Sequence, residues 1–326
     1  MLTILLPVNI HTKYFCPAIE SIITAVQLFP HPTELLIVLN NISEEHKGSI
    51  LKDLENYPFH KRVITCWSPD FSEVLNFGIQ ESSYEFIARM DADDIVTPRR
   101  FIEQFSLIVS LPNMAVLGGQ TILIDEDDAI MGLTHYPTAP NSIRKELPYR
   151  NCLAHPAVLY RKSAILSVGG YRAEFAFAED YDLWVRLSEN WQIANTNTVV
   201  LKYRIHSTQV SSYYFLTQLK STIKIMGRQF NVNSYELERE LNNISTIDLG
   251  RNIRSILAIS YFSRNSSFKC AVAIMILRRG SRYTGFRVSQ NLYLLLTAFR
   301  SNPFLSVRLI IPLILSRLLT YLKKNH

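Results

Sequence analysis

The first 90 residues alternate between short apolar runs and segments whose apolar positions have helical spacing. The apolar runs have the length of strands and cover residues 2–8, 34–40, 62–67 and 84–90. Apolar residues recur every three or four positions in the intervening segments, which predicts helices over residues 15–29, 46–54 and 73–81. Apolar strands alternating with helices predict an α/β fold with a mostly parallel central sheet covered on both faces.

Polar residues mark the carboxyl ends of two predicted strands. Asn40 ends the second strand, and Asp91 directly follows the fourth. Ligands of parallel α/β sheets bind beyond the carboxyl ends of the strands. We therefore expect a binding site that includes both positions.

The pattern changes from about residue 215, where helical segments rich in Leu, Ile and Arg begin. The longest stretch without a charged residue in this part covers residues 288–299. A membrane-spanning helix needs about 18–20 apolar residues, so no conventional transmembrane helix is expected. We predict an α/β domain over residues 1–212 and a helical, basic, membrane-associating region over residues 213–326.

The net charge of +6 averages over two parts of opposite charge. Residues 220–326 hold 17 Lys and Arg against 4 Asp and Glu, and no acidic residue follows Asp248. Arg317, Lys323 and Lys324 share one arc of a predicted helix whose opposite arc holds Leu and Ile, which suits a membrane interface. Because the charge lies on apolar helices rather than among stacking aromatic residues, an anionic membrane is favoured over nucleic acid as partner. Packing of this helix on its own domain is the alternative.

Cysteine usage and the N-terminus bear on the cellular compartment. The four cysteines have no paired spacing, which argues against a disulfide framework and a cysteine-rich zinc site. A reducing compartment is the simpler interpretation. The first residues lack a basic leader, and their apolar run is too short for a signal peptide, so export is not expected.

The densest acidic motif follows the fourth predicted strand. Asp91, Asp93 and Asp94 lie within four residues, and closely spaced like charges are costly without a counter-ion. Mg²⁺ or Mn²⁺ supplies such a charge through oxygen ligands. A solvated acidic turn is the alternative, but the position after an apolar strand favours a site for a metal and a diphosphate.

Two further motifs carry ionisable groups. Glu179 and Asp180 begin a stretch with helical spacing. A carboxylate at a helix start tends to stay ionised and can act as a general base, although a helix cap is the alternative. Arg204 and His206 combine a fixed cation with an imidazole, which suits diphosphate binding or metal ligation. A surface loop is the alternative there.

The order and spacing of these motifs over roughly residues 1–212 resemble the family-2 inverting glycosyltransferases of bacterial surface-polysaccharide synthesis. The segments that carry the resemblance are Ser72-Glu-Val-Leu-Asn76-Phe-Gly78-Ile, Arg89-Met-Asp-Ala-Asp-Asp94, His155-Pro156 before Arg161-Lys162-Ser163, Gly169-Gly170-Tyr171, Glu179-Asp180-Tyr-Asp-Leu-Trp184 and Tyr203-Arg204-Ile-His206. The resemblance implies a GT-A type nucleotide-binding domain that uses a nucleotide-sugar donor and Mn²⁺ or Mg²⁺.

The resemblance also implies a role for each matching residue. Asp93 would bind the metal that bridges the donor diphosphate, and Asp91 would hold the ribose or the metal. Asp180 would be the catalytic base that takes the proton from the acceptor hydroxyl. The remaining assignments are Pro7, Asn40, Asn41, Arg204 and His206 on the donor side, and His155, Glu179 and Asp182 on the acceptor side.

The chain departs from the family pattern at the end of the second strand. Asn40-Asn41-Ile42-Ser43 stands where the family usually has Asp-Asp-Gly-Ser. An asparagine carbonyl can accept a hydrogen bond from the imide N–H of uracil. We therefore expect an uncharged contact with the nucleobase.

These observations predict a metal-dependent, inverting hexosyltransferase, peripheral to the cytoplasmic face of the bacterial inner membrane. It would transfer a hexose, glucose or galactose, from a UDP-sugar to a lipid-linked saccharide in O-antigen, capsule or exopolysaccharide assembly. A β-1,3 bond to GlcNAc or GalNAc on a diphospho-polyprenol is the expected linkage.

Two other interpretations share the carboxylate motif. A synthase that glycosylates polyprenyl phosphate directly needs no base, so the Glu179–Asp180 pair argues against it. A homologue that has lost catalysis and only binds nucleotide sugars is disfavoured by the intact acids Asp91, Asp93 and Asp180.

Overall fold

A computed structural model describes residues 1–206, 214–242 and residue 272 of the protein. Its first part contains the expected alternation of strands and helices, namely β1 (Leu2–Val8), α1 (Phe15–Leu28), β2 (Thr33–Asn40), α2 (Glu44–Glu55), β3 (Lys61–Cys66), α3 (Phe71–Glu81) and β4 (Phe86–Arg89). β1 pairs with β2 and β4, β2 pairs with β3, and all three pairings are parallel. The predicted parallel sheet is thus confirmed for these strands.

Burial and capping explain why these segments form. Every residue of β1 is buried, as a strand covered on both faces requires. The face that α1 buries has helical spacing and consists of Phe15, Ala18, Ile19, Ile22 and Ala25. The helices α2 and α3 begin where the side chains of Ser43 and Asp70 accept backbone N–H groups.

The sheet continues beyond β4 with mixed strand directions. The later elements are β5 (Ile95–Val96), α4 (Arg100–Ser110), β6 (Met114–Ile124), β7 (Ile130–Leu133), α5 (Pro140–Glu146), β8 (Leu159–Arg161), α6 (Lys162–Ser167), α7 (Glu179–Asn190) and β9 (Gln192–Arg204). The strand order is β3-β2-β1-β4-β8-β6-β9-β5, with β7 paired to β6. β8 is antiparallel to β4 and β6, whereas β9 is parallel to β6 and antiparallel to β5.

The chain divides into two compact units. One consists of Met1–Leu147 and Asn151–Phe215, and the other of Pro148–Arg150 and Leu216–His326. Two helices, α8 (Phe215–Gln229) and α9 (Ser234–Asn242), follow the sheet. They lie in the part of the chain, from about residue 215, where the sequence predicts helical segments. No helix among the described residues is long and apolar enough to cross a membrane. The basic helix predicted around Arg317 lies outside them.

Two helical glycines differ in the space around them, which gives a stability test of the sheet–helix packing. A Cβ on Gly48 in α2 meets no atom within 4 Å, whereas one on Gly78 in α3 lies 2.5 Å from Cδ1 of Leu5 in β1. We expect Gly48→Ala to raise the free energy of unfolding by up to about 1 kcal/mol, because alanine favours the helix. Gly78→Ala should lower it by about 1–2 kcal/mol through overpacking. Urea unfolding measures both, and equal effects of the two substitutions would contradict the packing.

Candidate active site

Three carboxylates crowd the loop that leaves β4. Asp91, Asp93 and Asp94 each place a carboxylate oxygen within 4.8 Å of the others. The N–H of Met90 donates to the carbonyl of Leu5 in β1 at 3.1 Å, so the parallel sheet extends to the residue before the acids. The cluster therefore lies at the carboxyl edge of the sheet, where ligands of such sheets bind.

Two buried arginines supply positive charge beside the acids. Arg89 is 3% exposed and contacts both oxygens of Asp91, with Nη1 2.8 Å from Oδ2 and Nη2 2.6 Å from Oδ1. Arg100 is fully buried and donates from Nη2 to the carbonyls of Arg89 and Val158 at 2.8 and 3.1 Å. Burial lowers the pKa of Arg100 to about 9, so it stays charged at neutral pH.

Asp94 is the most deeply buried of the three acids, with 1% of the residue exposed. Its Oδ1 accepts the backbone N–H of Arg204 at 2.8 Å, while its Oδ2 has no hydrogen-bond partner among the described residues. Burial, together with repulsion from Asp93 and Asp91, raises the pKa of Asp94 well above its ordinary value. A buried polar atom without a partner is costly, and a cation would satisfy this oxygen.

The donor set therefore fits Mg²⁺ or Mn²⁺, which bind oxygen ligands. The sequence predicts Asp93 and Asp91 as the metal ligands. The structure adds Asp94 to this set and pairs Asp91 with Arg89. The pairing gives Asp91 a fixed orientation whether or not it also reaches the metal.

The side chain of Arg204 contacts the acidic loop and the β6–β7 turn. Its Nε donates to the carbonyl of Asp93 at 2.8 Å, and its Nη1 lies 2.9 Å from the carbonyl of Asp125 and 2.7 Å from Oδ1 of Asp128. The ring of Tyr14 lies 4.2 Å from the guanidinium carbon. These contacts tie the end of β9 to the acidic loop, and the donor-side role of Arg204 stays a prediction.

His206 reaches the acidic cluster directly. Its Nε2 lies 2.9 Å from Oδ2 of Asp93, and its ring stacks on Tyr14 at 6.0 Å. The fold thus places His206 next to Asp93, which lies 113 positions earlier in the chain. This position is the one that a donor-side role of His206 requires.

A second pair of carboxyl groups stands at the N-terminus of α7. Oδ1 of Asp180 accepts the N–H of Tyr181 at 2.7 Å, and Oδ2 accepts Nδ2 of Asn151 at 2.7 Å. Glu179 is 7% exposed, and burial with repulsion from Asp180 raises its pKa to about 8. Glu179 is therefore largely protonated at neutral pH and adds little negative charge beside Asp180. Neighbouring carboxyl groups in different environments take different roles, and the hydrogen-bonded Asp180 is the candidate base.

The two acidic motifs influence each other electrostatically. Burial, with repulsion from Asp93 and Asp180, raises the pKa of Asp91 despite the attraction of Arg89. Arg89 in turn stabilises the anion of Glu179. The loop after β4 and the start of α7 are therefore close enough to interact electrostatically.

Asp182, assigned to the acceptor side, has a structural partner. Its Oδ2 lies 2.7 Å from Nη2 of Arg186, one helical turn along α7. Arg186 also donates to the carbonyls of Val168 and Gly170 at 2.6 Å each. The pair therefore holds the Gly169-Gly170 turn against α7, and the acceptor-side role of Asp182 stays a prediction.

His155 forms a hydrogen bond with the side chain of Tyr171. Its Nε2 lies 2.8 Å from the hydroxyl of Tyr171, and burial with the nearby Arg89 lowers the pKa of His155 well below its ordinary value. Asn76 bonds the carbonyl and the N–H of Tyr171 at 2.9 and 2.8 Å. Gly170 has a φ of +70°, and a Cβ there would lie 2.4 Å from Oδ1 of Asn76. Three of the quoted motifs thus meet around one tyrosine.

The two asparagines at the end of β2 hold the segment that follows β3. Oδ1 of Asn40 accepts the N–H of Ser68 at 3.2 Å, and Nδ2 of Asn41 donates to the carbonyl of Ser68 at 2.6 Å. A uracil imide would have to share the Asn40 oxygen with this N–H. Pro7 is buried within β1 and pairs with Val38.

Several residues around the site, Arg100 among them, were absent from the sequence assignments, and two of these contact predicted site residues. Tyr14 lies under Arg204 and His206, and Asn151 contacts Asp180. Neither belongs to a recurrent motif of the sequence. The only indication for Asn151 was its position four residues before His155.

The fold and the paired acidic motifs define a glycosyltransferase-type site, and sequence comparison agrees. The profile of the family described as "Glycosyltransferase like family 2" matches residues 3–240. The chain therefore belongs to this family.

Individual relatives and a solved structure resemble the chain over most of their length. The O-antigen biosynthesis glycosyltransferase WbnJ of Escherichia coli is 32% identical over 66% of this chain and 85% of its own. The UDP-Gal:alpha-D-GlcNAc-diphosphoundecaprenol beta-1,3-galactosyltransferase of E. coli is 26% identical over 66% of this chain and 78% of its own. A mannosyltransferase from Pyrobaculum calidifontis, solved with GDP-Man and Mn²⁺, superposes with a TM-score of 0.55 over 92% of this chain and 86% of its own, at 11% identity. The fold is thus of the GT-A type.

The crowded acids predict that metal binding stabilises the protein through Asp93. Saturating Mn²⁺ should raise the thermal unfolding midpoint of the unaltered protein by about 5 °C or more. Asp93→Asn should abolish this rise, while its midpoint in EDTA stays equal or increases because one repelling charge is gone. Asp127→Asn, which removes an exposed acid from the β6–β7 turn, is the matched control. A normal rise with Mn²⁺ in Asp93→Asn would contradict the assignment.

Proposed function

We propose that the protein is a metal-dependent, inverting glycosyltransferase that moves a hexose from a UDP-sugar to a lipid-linked saccharide. The observation that carries this proposal is the electrostatic coupling between two carboxylate sets. Asp91, Asp93 and Asp94 would provide oxygen ligands for a cation, and Asp180, which influences Asp91 and accepts a hydrogen bond from Asn151, would be the base.

On the donor side, Asp93 and Asp94 would hold Mn²⁺ or Mg²⁺, with Asp91 fixed by Arg89. The metal would offset the negative charge that develops on the leaving diphosphate. Arg204 and Tyr14 hold the loop that presents these acids, and His206 adds a nitrogen beside Asp93. The Pyrobaculum mannosyltransferase was solved in complex with Mn²⁺, which supports the choice of cation.

On the acceptor side, Asp180 would take the proton of the acceptor hydroxyl. The hydroxyl oxygen forms a bond to the anomeric carbon as the bond from that carbon to the diphosphate oxygen breaks, and UDP leaves with the bonding electrons. A single displacement of this kind inverts the anomeric configuration. Glu179, largely protonated at neutral pH, limits the negative charge beside the proposed base.

The substrate class is inferred from the relatives. The name of the E. coli galactosyltransferase gives UDP-Gal as its donor and a GlcNAc-diphosphoundecaprenol as its acceptor. The name of WbnJ gives a role in O-antigen biosynthesis. We therefore propose UDP-galactose or UDP-glucose as donor, a β-1,3 bond to a GlcNAc or GalNAc diphospho-lipid, and a role in surface-polysaccharide assembly. The neutral Asn40 at the predicted nucleobase position is compatible with uracil.

We further propose a peripheral position on the cytoplasmic face of the inner membrane. The support is the sequence of residues 249–326, which holds 13 basic residues and no acidic one. Such a segment is attracted to anionic lipid. A lipid-linked acceptor would place the substrate at the same surface.

The role of Asp180 predicts a defect in transfer but not in donor binding. Asp180→Asn should reduce transfer from UDP-galactose or UDP-glucose to a synthetic GlcNAc or GalNAc diphospho-lipid by about 10²–10⁴-fold. The affinity for UDP, measured by calorimetry with Mn²⁺, should be retained. Glu189→Gln, an exposed acid further along α7, should leave both properties unchanged. Lost UDP affinity with normal transfer at saturating donor would make Asp180 a donor ligand instead.

The charge of the C-terminal region predicts membrane binding that is partly sensitive to salt. Deleting residues 302–326 should release the protein from vesicles of anionic lipid, because each basic residue near the surface contributes about 1 kcal/mol. Apolar contacts should leave some full-length protein bound at high salt. A variant with Arg317, Lys323 and Lys324 changed to Gln should lose mainly the salt-sensitive part. Flotation of the truncated protein with vesicles would mean that the membrane-binding segment lies before residue 302. Absence of binding by the full-length protein would refute the membrane proposal.

A further inference from the structure

We propose that Asn151 is a positioning residue for the Asp180 carboxylate, which it orients and keeps ionised for removal of the acceptor proton. The inference rests on the proposed role of Asp180 as the base. It starts from the 2.7 Å contact between Nδ2 of Asn151 and Oδ2 of Asp180. An N–H donated to a carboxylate favours its charged form.

The amide of Asn151 is held in the orientation that makes it a donor. The N–H of Leu153 donates to Oδ1 of Asn151 at 3.1 Å. Because this oxygen already serves as acceptor, the NH₂ group is the part of the amide that faces Asp180. The other carboxylate oxygen accepts the N–H of Tyr181 at 2.7 Å, so both oxygens of Asp180 accept a hydrogen bond.

The backbone beside Asn151 is anchored independently of α7. The carbonyl of Cys152 accepts Nδ2 of Asn195 at 3.0 Å, and the same Nδ2 donates to the carbonyl of Pro137 at 2.8 Å. Asn195 lies in β9 and is 4% exposed. The backbone next to Asn151 is therefore held by β9, whereas Asp180 lies in α7. Two separate elements thus fix the carboxylate of Asp180.

The surrounding charges make this donor important. The titratable groups that interact with Asp180 include Glu179 on the same helix, Asp91 after β4 and Tyr171 beside the glycine turn. Each of them disfavours a second negative charge when it is ionised. The N–H of Asn151 opposes that influence, and its loss should raise the pKa of Asp180.

The test measures the Asp180 carboxyl group directly. In protein labelled with ¹³C at the aspartate carboxyl carbons, the signal that disappears in Asp180→Asn reports the titration of Asp180. We expect Asn151→Ala to raise the pKa of Asp180 by about 1 unit. Asn151→Asp keeps the acceptor for Leu153 but replaces the donor with a carboxylate, and it should raise the pKa further. Asn197→Asp adds the same charge at an exposed position of β9 and should leave the pKa unchanged.

Transfer assays with UDP-galactose or UDP-glucose and a GlcNAc diphospho-lipid complete the test. Both Asn151 variants should lower kcat, keep the KM for the donor, and move the acidic limb of the kcat–pH profile to higher pH by the same shift as the Asp180 titration. An unchanged Asp180 titration in both variants would overturn the role of Asn151. Full activity of Asp180→Asn would instead overturn the proposed base, and the positioning role with it.

Discussion

The crowding of negative charge at the carboxyl edge of the sheet is the constraint on which the rest of the site depends. Asp91, Asp93 and Asp94 lie within 4.8 Å of one another, and such a cluster is unfavourable without compensation. The protein supplies part of it through the buried Arg89 and Arg204, the first paired with Asp91 and the second bonded around the loop. The unsatisfied oxygen of Asp94 leaves a place for a cation. In this arrangement a bound cation would complete a charge balance that the fold leaves incomplete.

The same constraint links the two parts of the sheet. The acids leave from β4, at the end of the parallel strands, whereas Arg204 and His206 come from the end of β9, more than 100 residues later. The antiparallel β8 lies beside β4 and carries the sheet on toward β9. The preceding segment, 151–157, brings Asn151 to Asp180 and His155 to Tyr171. Folding of the mixed part is therefore required to assemble the site, although the acids themselves belong to the parallel part.

Local pattern was sufficient to predict β1 to β4 and the helices between them, because apolar runs and helical spacing are properties of neighbouring residues. The antiparallel pairing of β8 was not predicted, since it joins segments about 70 residues apart whose pattern does not encode the partner. The acids of the site were recognisable because charge density and motif spacing are local. The partners of Arg204 and Asp182 were not, because a long polar side chain can turn toward a ligand or toward its own backbone. Only tertiary structure decides that choice, and here it favoured the backbone for both Arg204 and the partner of Asp182, Arg186.

The stereochemistry of the product tests the central claim most directly. A single displacement by an acceptor oxygen activated by Asp180 converts the α-linked sugar of UDP-galactose or UDP-glucose into a β-linked product. Proton NMR of the purified product measures the coupling constant of the new anomeric proton, which is large for the β configuration of these sugars and small for the α configuration. The proposed role of Asp180 as the base of a single displacement predicts the β product. An α-linked product would contradict direct displacement and would require a different role for the carboxylates at this site.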